Sequence, residues 1–150
     1  MKNRKLIYLA SPHQHDSKFV EHQREQEVLR YAAWMMKEGE LVFCPIAYGR
    51  ALWSVTNFPL GWEYWVDFDT KMVTACDEVR VMCIPGWDVS RGVAAETKLA
   101  MQLDKRISWA TTRGVFSHTP LKADTYEDWA QFWLVEGAPA ITSAQRLLLD

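Results

Sequence analysis

The sequence predicts an α/β protein in which a parallel sheet of four or five strands carries helices on both faces. Short apolar runs bounded by turn residues, such as Val79–Ile84, are typical of buried strands. Between these runs lie longer segments whose apolar residues recur with helical spacing. Strands that alternate with helices form βαβ units, so we expect parallel pairing and a three-layer sandwich.

The first third of the chain contains two predicted strands and one helix. Lys5–Ala10 is the first strand, and a Ser-Pro pair ends it. Ser17–Glu38 is predicted as a helix because it has one apolar stripe, and Gly39 is a natural C-terminal stop. Leu41–Cys44 is a short second strand that a proline interrupts. The stripe of the helix consists of Val28, Tyr31, Ala32, Met35 and Met36.

The middle of the chain continues the alternation after an irregular stretch. Ile46–Gly61 is predicted as a loop, because Pro, Gly and Asn are interspersed among its aromatic residues. Trp62–Cys76 is predicted as the second helix and is followed by the strand Val79–Ile84. Arg91–Leu103 is the third helix, and Arg106–Ala110 is the fourth strand.

The pattern changes after the fourth strand. Thr111–Thr119 is polar and rich in turn residues, and Asp124–Glu136 is predicted as a helix with an aromatic face that includes Trp129. That face either packs on the chain's own sheet or contacts a second subunit. Thr142–Leu149 is predicted as a final short helix. We expect one domain over residues 1–150, with a core at 5–110 and a mostly helical extension at 111–150.

Composition excludes several classes of function. The chain is 49% hydrophobic and 24% charged with a net charge of -2, so it lacks the basic face that binds duplex nucleic acid. No apolar run is long enough for a membrane span, and the first residues lack the apolar region of a secretory signal. The three cysteines lack metal-binding spacing. We therefore expect a cytoplasmic protein with reduced thiols and no membrane partner.

The turn between the third strand and the third helix is the most informative feature of the chain. Pro85–Glu96 reads Pro-Gly-Trp-Asp-Val-Ser-Arg-Gly-Val-Ala-Ala-Glu and joins a buried strand to a helix whose first turn carries Gly92. Free N–H groups and the positive end of the helix dipole favour an anion there. Arg91 adds positive charge, although an exposed arginine is the ordinary interpretation.

Two carboxylates interrupt the apolar faces of neighbouring helices. Asp69 lies in the middle of the apolar face of the second helix, and Glu96 lies on the stripe of the third. Burying a carboxylate is costly unless something uses it. The alternatives are that Asp69 pairs with an arginine and that the helix dipole stabilises Glu96. The nearby Asp67 and Glu78, like Lys71, are expected to be solvated.

Residues after the first strand belong to the same rim of the sheet, because ligands of open α/β sheets bind at the carboxyl ends of strands. Ser11, Pro12 and His13 follow the strand, and Tyr8 within it needs a hydrogen-bond partner that a nearby carboxylate would supply. His15 gives a His-x-His sequence, but no third ligand has convincing spacing. We expect a small-molecule site without a metal.

These residues, in this order, resemble the nucleoside 2-deoxyribosyltransferase superfamily. The resemblance covers about residues 5–110 and rests on Ile-Tyr-Leu-Ala-Ser-Pro at 7–12, on Asp69, on Cys-Asp-Glu-Val at 76–79, and on Ser-x-Gly-x-x-x-Glu ending at Glu96. It is closest to a branch of short proteins that share the Pro-Gly-Trp turn. The loop at 45–61 and the chain from Thr111 onward do not match in residues.

The resemblance implies a flavodoxin-like, Rossmann-like fold that cleaves or exchanges the N-glycosidic bond of a deoxynucleoside or its 5'-monophosphate, without a cofactor. Glu96 falls on the nucleophile that forms a covalent glycosyl-enzyme. Asp69 falls on the acid that assists the leaving base, and Tyr8 on the residue that orients the nucleophile. The superfamily's sites are usually completed by a neighbouring subunit, so a homodimer or higher homo-oligomer is expected.

One position bears on the substrate. Transferases that act on free nucleosides resemble Asp-x-Gly-x-x-x-Glu, whereas this chain has Ser90, as the 5'-monophosphate N-hydrolases of the superfamily do. A serine at a helix start donates to a phosphate that an aspartate would repel. Ser90, Arg91 and Gly92 are therefore expected to bind a 5'-phosphate. The alternative is that Asp88 folds in to replace the aspartate. A nucleotide-binding module without turnover is the alternative function.

Overall fold

A computed structural model describes residues 3–57 and 62–135, which form one five-stranded sheet with five helices. The strands are β1 (Leu6–Ala10), β2 (Leu41–Phe43), β3 (Glu78–Met82), β4 (Arg106–Thr111) and β5 (Gly114–Phe116). The helices are α1 (Lys18–Lys37), α2 (Pro45–Trp53), α3 (Trp62–Ala75), α4 (Arg91–Gln102) and α5 (Tyr126–Val135). Most of these elements lie within one or two residues of their predicted positions.

The sheet has the order β2-β1-β3-β4-β5. The first four strands pair in parallel, as the βαβ pattern predicts, and β5 is an antiparallel edge strand. Strand β5 lies in the segment that was expected to contain only turns. Its three residues are exposed, and the tight turn at Gly114 has a φ of 134°, so no apolar alternation marks this strand in the sequence.

Two apolar cores lie on opposite faces of the sheet, which confirms the three-layer α/β architecture. On one face α1 and α5 pack against alternate residues of β1, including Ile7 and Leu9. On the other face α3 and α4 pack against Tyr8 and Ala10, whose side chains point the opposite way. Every residue of β3 is buried, as expected for a central parallel strand.

Helix α2 corrects the prediction of a loop after β2. Pro45 occupies the first turn of this helix, where its missing N–H costs nothing, so it begins a helix rather than breaking one. Gly49 faces the ring of Trp65 on α3, and an added β-carbon would lie at an ordinary contact distance of 3.5 Å from that ring. Residues 58–61 of the predicted loop lie outside the described residues.

Helix α5 packs on the chain's own sheet, which decides between the two interpretations of its aromatic face. Trp129 and Trp133 are 0% and 2% exposed and belong to the core that α1 shares. The ring N–H of Trp133 donates to Glu27 of α1 over 3.0 Å. The final helix predicted at 142–149 lies outside the described residues. Within the described ranges, no helix combines the length and apolarity that a membrane span requires.

A buried ionic network at the amino ends of the strands corrects the expectation that Glu78 is solvated. Glu78 and Arg80 are 3% and 7% exposed and form an ion pair of 3.2 Å. Ser108 donates to Glu78 over 2.5 Å, and Glu40 pairs with Arg80 over 3.0 Å. Both charges are therefore satisfied inside the protein, at the end of the sheet opposite the predicted site.

Candidate active site

The predicted site residues cluster at a switch point of the sheet. Neighbouring strands β1 and β3 send their chains to opposite faces, β1 into α1 and β3 into α4. Such a divergence opens a crevice beyond the carboxyl ends of the two strands, where ligands of open α/β sheets bind. The loop at residues 11–17 forms one side of this crevice, and the turn at residues 83–90 forms the other.

Tyr8 connects β1 to α4. Its side chain is fully buried, and its hydroxyl donates to Oε1 of Glu96 over 2.8 Å. Burial and the nearby carboxylates of Glu96 and Asp69 raise the pKa of Tyr8 far above its ordinary value. The phenol therefore stays protonated at any physiological pH and acts as a fixed hydrogen-bond donor to the carboxylate.

Glu96 is the most strongly perturbed acid of this crevice. It lies in the second turn of α4, and burial raises its pKa from 4.5 to about 8. The hydrogen bond from Tyr8 opposes this rise because it stabilises the ionised form, whereas the charge of Asp69 adds to it. The carboxyl consequently sits in an environment that favours the neutral acid until a positive charge or a donor arrives.

Asp69 approaches the same hydroxyl from α3. Burial raises its pKa from 3.8 to about 6, and Tyr8 opposes this rise. The oxygen Oδ1 is buried and forms no hydrogen bond with the described residues. Asp69 forms no ion pair with any of the described residues. The alternative prediction, that it pairs with an arginine, is therefore wrong for this part of the chain. A buried carboxylate oxygen without a donor is costly in the free protein and available to a ligand.

The two carboxyls behave as one titrating pair around the phenol. Between a pH of about 6 and a pH of about 8 the pair holds one proton, because burial raises the pKa of both acids and the charge of Asp69 raises that of Glu96 further. A pair of acids that shares one proton can supply an acid and a nucleophile to one reaction. In the free protein the higher pKa belongs to Glu96, which is the reverse of the order that the resemblance implies.

The turn before α4 provides the predicted helix start. Gly86 adopts a φ of 96°, which favours glycine, and a 3₁₀ turn over Trp87–Val89 leads into the helix. Ser90 is the N-cap, and its hydroxyl accepts from the Val93 N–H over 3.3 Å. The hydroxyl hydrogen of Ser90 is still available to donate, but the N–H of residue 93 is already engaged.

The remaining predicted residues of this turn differ in accessibility. The side chains of Asp88 and Arg91 are exposed, and Gly92 is half-buried in the first turn of α4. A β-carbon on Gly92 would have Ser90 Oγ as its nearest neighbour at 3.9 Å, so no neighbour requires glycine there. The exposed positions can reach a ligand, but neither side chain is fixed by a contact with the described residues.

The loop after β1 is held by contacts that the sequence did not reveal. Pro12 is buried, and the half-buried Ser11 makes only a long 3.4 Å contact with the Pro12 carbonyl. His13 lies 2.7 Å from Glu25 of α1, and the other oxygen of Glu25 pairs with Arg50 of α2. Burial lowers the pKa of His13. His13 is thus held against α1 by Glu25.

The structure provides no evidence for a metal site at the His-x-His sequence. Nδ1 of His15 accepts from the Ser17 N–H over 2.9 Å, which ties His15 to the start of α1. In the part of the chain that the structure describes, no three His, Cys, Asp or Glu residues are grouped as metal ligands.

An aromatic cluster lies beside the acids and was missed in the loop prediction. The Phe43 ring is 5.8 Å from Tyr8 and 6.1 Å from Phe68, which precedes Asp69 in α3. Phe68 in turn stacks against Tyr48 and Tyr64, at 5.4 Å and 6.4 Å, with nearly parallel rings. The cluster puts a flat apolar surface next to Asp69. If α2 had been predicted as a helix, the contact of Tyr48 with α3 could also have been predicted.

A comparison with protein families found a match for most of this chain. Residues 5–111 match the family described as Domain of unknown function (DUF1937). The chain belongs to this family. The matched segment contains all four parallel strands and all three residues of the acid and phenol cluster. A comparison with curated proteins found no match for the chain.

Proposed function

We propose that this DUF1937 protein cleaves or exchanges the N-glycosidic bond of a deoxynucleoside 5'-monophosphate, or of the free nucleoside. The observation that carries the proposal is the convergence of Tyr8, Asp69 and Glu96 at the switch point, where burial raises the pKa of both acids. The resemblance to the nucleoside 2-deoxyribosyltransferase superfamily supports it, because the same three positions carry the catalytic roles there.

The proposed first step forms a covalent glycosyl-enzyme. A carboxylate oxygen of Glu96 attacks the anomeric carbon as the bond to the base nitrogen breaks, and the proton of Asp69 passes to the leaving base. The oxocarbenium-like charge that develops at the sugar stabilises the ionised form of Glu96. In the free protein the proton lies mainly on Glu96, which has the higher pKa. Substrate binding must therefore shift that proton to Asp69 before Glu96 can attack.

The second step returns the acids to their starting state. The Asp69 carboxylate takes a proton from water or from a second base, which attacks the anomeric carbon and releases Glu96. Hydrolysis and transfer share the first step and differ only in this acceptor. Tyr8 keeps its proton throughout and holds the attacking oxygen in position, as its 2.8 Å hydrogen bond permits.

The helix start supports the choice of a phosphorylated substrate. Ser90 retains a hydroxyl hydrogen at the amino end of the twelve-residue helix α4, and Arg91 next to it is exposed. The alternative, in which Asp88 binds a sugar hydroxyl, predicts the opposite preference. Replacing Ser90 with Asp should therefore shift the preference toward the free nucleoside, which competition between the two substrates measures.

A panel of deoxynucleosides and their 5'-monophosphates tests the proposal, with free base measured by chromatography. We expect release from at least one monophosphate. Glu96→Ala should abolish it, and Asp69→Asn should reduce it on the order of a hundredfold. Glu63→Gln, an exposed acid on the same helix as Asp69, should leave the rate unchanged. Release of base at the wild-type rate from Glu96→Ala would refute the mechanism.

The dependence of the rate on pH gives a second test. Because one acid must be ionised and the other protonated, the rate should be bell-shaped with limbs near pH 6 and pH 8. Asp69→Asn should remove the limb that requires an acid. A single rising limb should remain, set by the ionisation of Glu96, with a midpoint below pH 8 because the charge that raises the pKa of Glu96 is gone. A flat profile over this range would contradict the shared-proton pair.

We also propose that the protein works in the cytoplasm as a homo-oligomer. Cys44, Cys76 and Cys83 are all free, as in proteins of a reducing compartment. Tyr48 of α2 and Tyr64 of α3, both members of the aromatic cluster, are exposed. A second subunit would cover this surface. Light scattering of the purified protein measures the assembly directly, and a monomer at micromolar concentration would refute this part.

A further inference from the structure

Arg24 of α1 is a buried cation that the proposed mechanism does not use. It occupies the apolar stripe that also contains Val28, Tyr31 and Met35, and it is only 7% exposed. A charged side chain in this position is expensive unless it is paired or serves a ligand. The stripe could have indicated Arg24 in the sequence, since it lies four residues before Val28.

The guanidinium of Arg24 connects the two sides of the crevice. Nη1 donates to the carbonyl of Gln14 over 2.8 Å and, less closely, to the carbonyl of His13 over 3.4 Å, both in the loop after β1. The Nη2 end of the guanidinium lies against Gly86 in the turn after β3. A β-carbon at Gly86 would lie 2.1 Å from Nη2 and 3.1 Å from Cζ, so any other residue would force the guanidinium to move.

The positive charge of Arg24 is not neutralised within the described chain. No carboxylate among residues 3–57 and 62–135 pairs with it, and Nε is buried without an acceptor. Burial raises the pKa of Tyr126, and the nearby Arg24 opposes this rise although the Tyr126 hydroxyl forms no hydrogen bond with the described residues. Two other arginines differ, since the buried Arg80 pairs with two glutamates and the half-buried Arg30 pairs with Glu27.

We infer that Arg24 is the residue that makes the crevice specific for a phosphorylated substrate. It fixes the spacing between the loop at 11–17 and the turn that leads to Ser90, and it adds an uncompensated positive charge beneath them. A phosphate bound at the start of α4 supplies the missing negative charge, because a buried cation without a counter-ion lowers the cost of binding an anion. Arg24 thus acts through the loops and its charge.

This inference rests on the proposed function but makes a separate prediction. If Arg24 selects for phosphate, its loss should weaken binding of the 5'-monophosphate and leave the free nucleoside unaffected. If it is only a structural clamp, its loss should weaken both substrates by the same factor. The comparison of the two KM values therefore separates the roles in a way that a measurement of stability does not.

The experiment compares Arg24→Met, Arg24→Lys and the control Lys37→Met, an exposed cation at the end of the same helix. We expect Arg24→Met to raise KM for the monophosphate about tenfold or more, with kcat nearly unchanged and KM for the nucleoside unchanged. Arg24→Lys keeps the charge without the forked donor geometry and should lose less. If Arg24→Met folds poorly, Arg24→Lys still gives the comparison.

Gly86→Ala tests the same contact from the other side. The added β-carbon would push the guanidinium out of its position, so the variant should raise KM for the monophosphate selectively, whereas the strain of alanine at a φ of 96° should weaken the binding of both substrates equally. The double variant with Arg24→Met has no clash. Its loss of affinity for the monophosphate, as a free energy, should therefore be smaller than the sum of the losses in the two single variants. Full additivity would mean that the two residues do not act through their contact.

Calorimetric titration with a deoxynucleoside monophosphate separates failure of this inference from failure of the proposed function. Binding without turnover in the wild type, weakened by Arg24→Met, would refute the reaction and keep the role of Arg24. Turnover in the wild type, with no selective effect of Arg24→Met on the monophosphate, would support the reaction and refute the role of Arg24. A wild-type protein that does not prefer the monophosphate over the nucleoside in binding would overturn the inference whatever its activity.

Discussion

Replacing Glu96 with glutamine should remove a pH-dependent cost that the wild-type protein carries. The folded protein holds the Glu96 proton up to a pH of about 8, whereas the unfolded chain loses it near 4.5. Between these values the folded state binds more protons than the unfolded state, so the free energy of unfolding falls as the pH rises. Glutamine keeps the size and the polarity of the side chain but cannot ionise.

The size of this effect follows from proton linkage. One proton changes the free energy of unfolding by at most about 1.4 kcal/mol per pH unit. The shift of Glu96 spans most of the range from pH 5 to pH 8. The stability of the glutamine variant relative to the wild type should therefore increase by about 2–4 kcal/mol across that range. Asp69 titrates mainly below about pH 6, so the divergence above that pH belongs to Glu96.

Urea unfolding followed by tryptophan fluorescence at pH 5, 6, 7 and 8 measures this difference, and the eight tryptophans provide the signal. Glu63→Gln on the surface of α3 is the matched control, and its difference from the wild type should be constant across the series. A constant difference between Glu96→Gln and the wild type would show that Glu96 is already ionised in the folded protein. The description of the acid pair would then be wrong.

Three further predictions concern other contacts. Tyr8→Phe removes the hydrogen bond that lowers the pKa of Glu96, so kcat should fall about tenfold or more. The limb of the pH profile that requires an ionised Glu96 should also move to higher pH. An unchanged profile would show that the phenol has no part in the mechanism. Arg80→Met leaves Glu78 buried without its main partner, and chemical denaturation should show a loss of about 3 kcal/mol or more. Trp133→Phe keeps the aromatic packing of α5 but loses a hydrogen bond to a buried carboxylate, which should cost about 1–3 kcal/mol in thermal unfolding.

Much of the fold is encoded locally and could be predicted from residue order. The strands at Lys5–Ala10 and Val79–Ile84 and the long first helix were found within one or two residues, because buried parallel strands and amphipathic helices leave strong periodic patterns. The errors occur where local signals are weak or ambiguous. Pro45 begins a helix instead of ending a strand, and β5 is too short and too exposed to show a pattern.

The candidate site was predictable only in part, for a similar reason. Asp69 and Glu96 stood out because each breaks an apolar face, a violation that one helix alone reveals. The engagement of His13 by Glu25, and the cation at Arg24 that bridges two loops, depend on which elements meet in space. Glu78 looked solvated because its burial depends on Ser108 of β4, and the pairing of its neighbour Arg80 with Glu40 likewise joins distant parts of the chain.

The sequence by itself determined the alternation of strands and helices, the odd position of two acids, and the turn with its glycine and serine at the start of a helix. These are properties of short segments, governed by periodicity, capping and the cost of a misplaced charge. Only the tertiary structure decided that the phenol of Tyr8 reaches Glu96, that burial raises the pKa of both acids, and that no carboxylate of the described residues pairs with Arg24. Distances and desolvation arise only when distant segments pack together, and both acids owe their shifted pKa mainly to that burial.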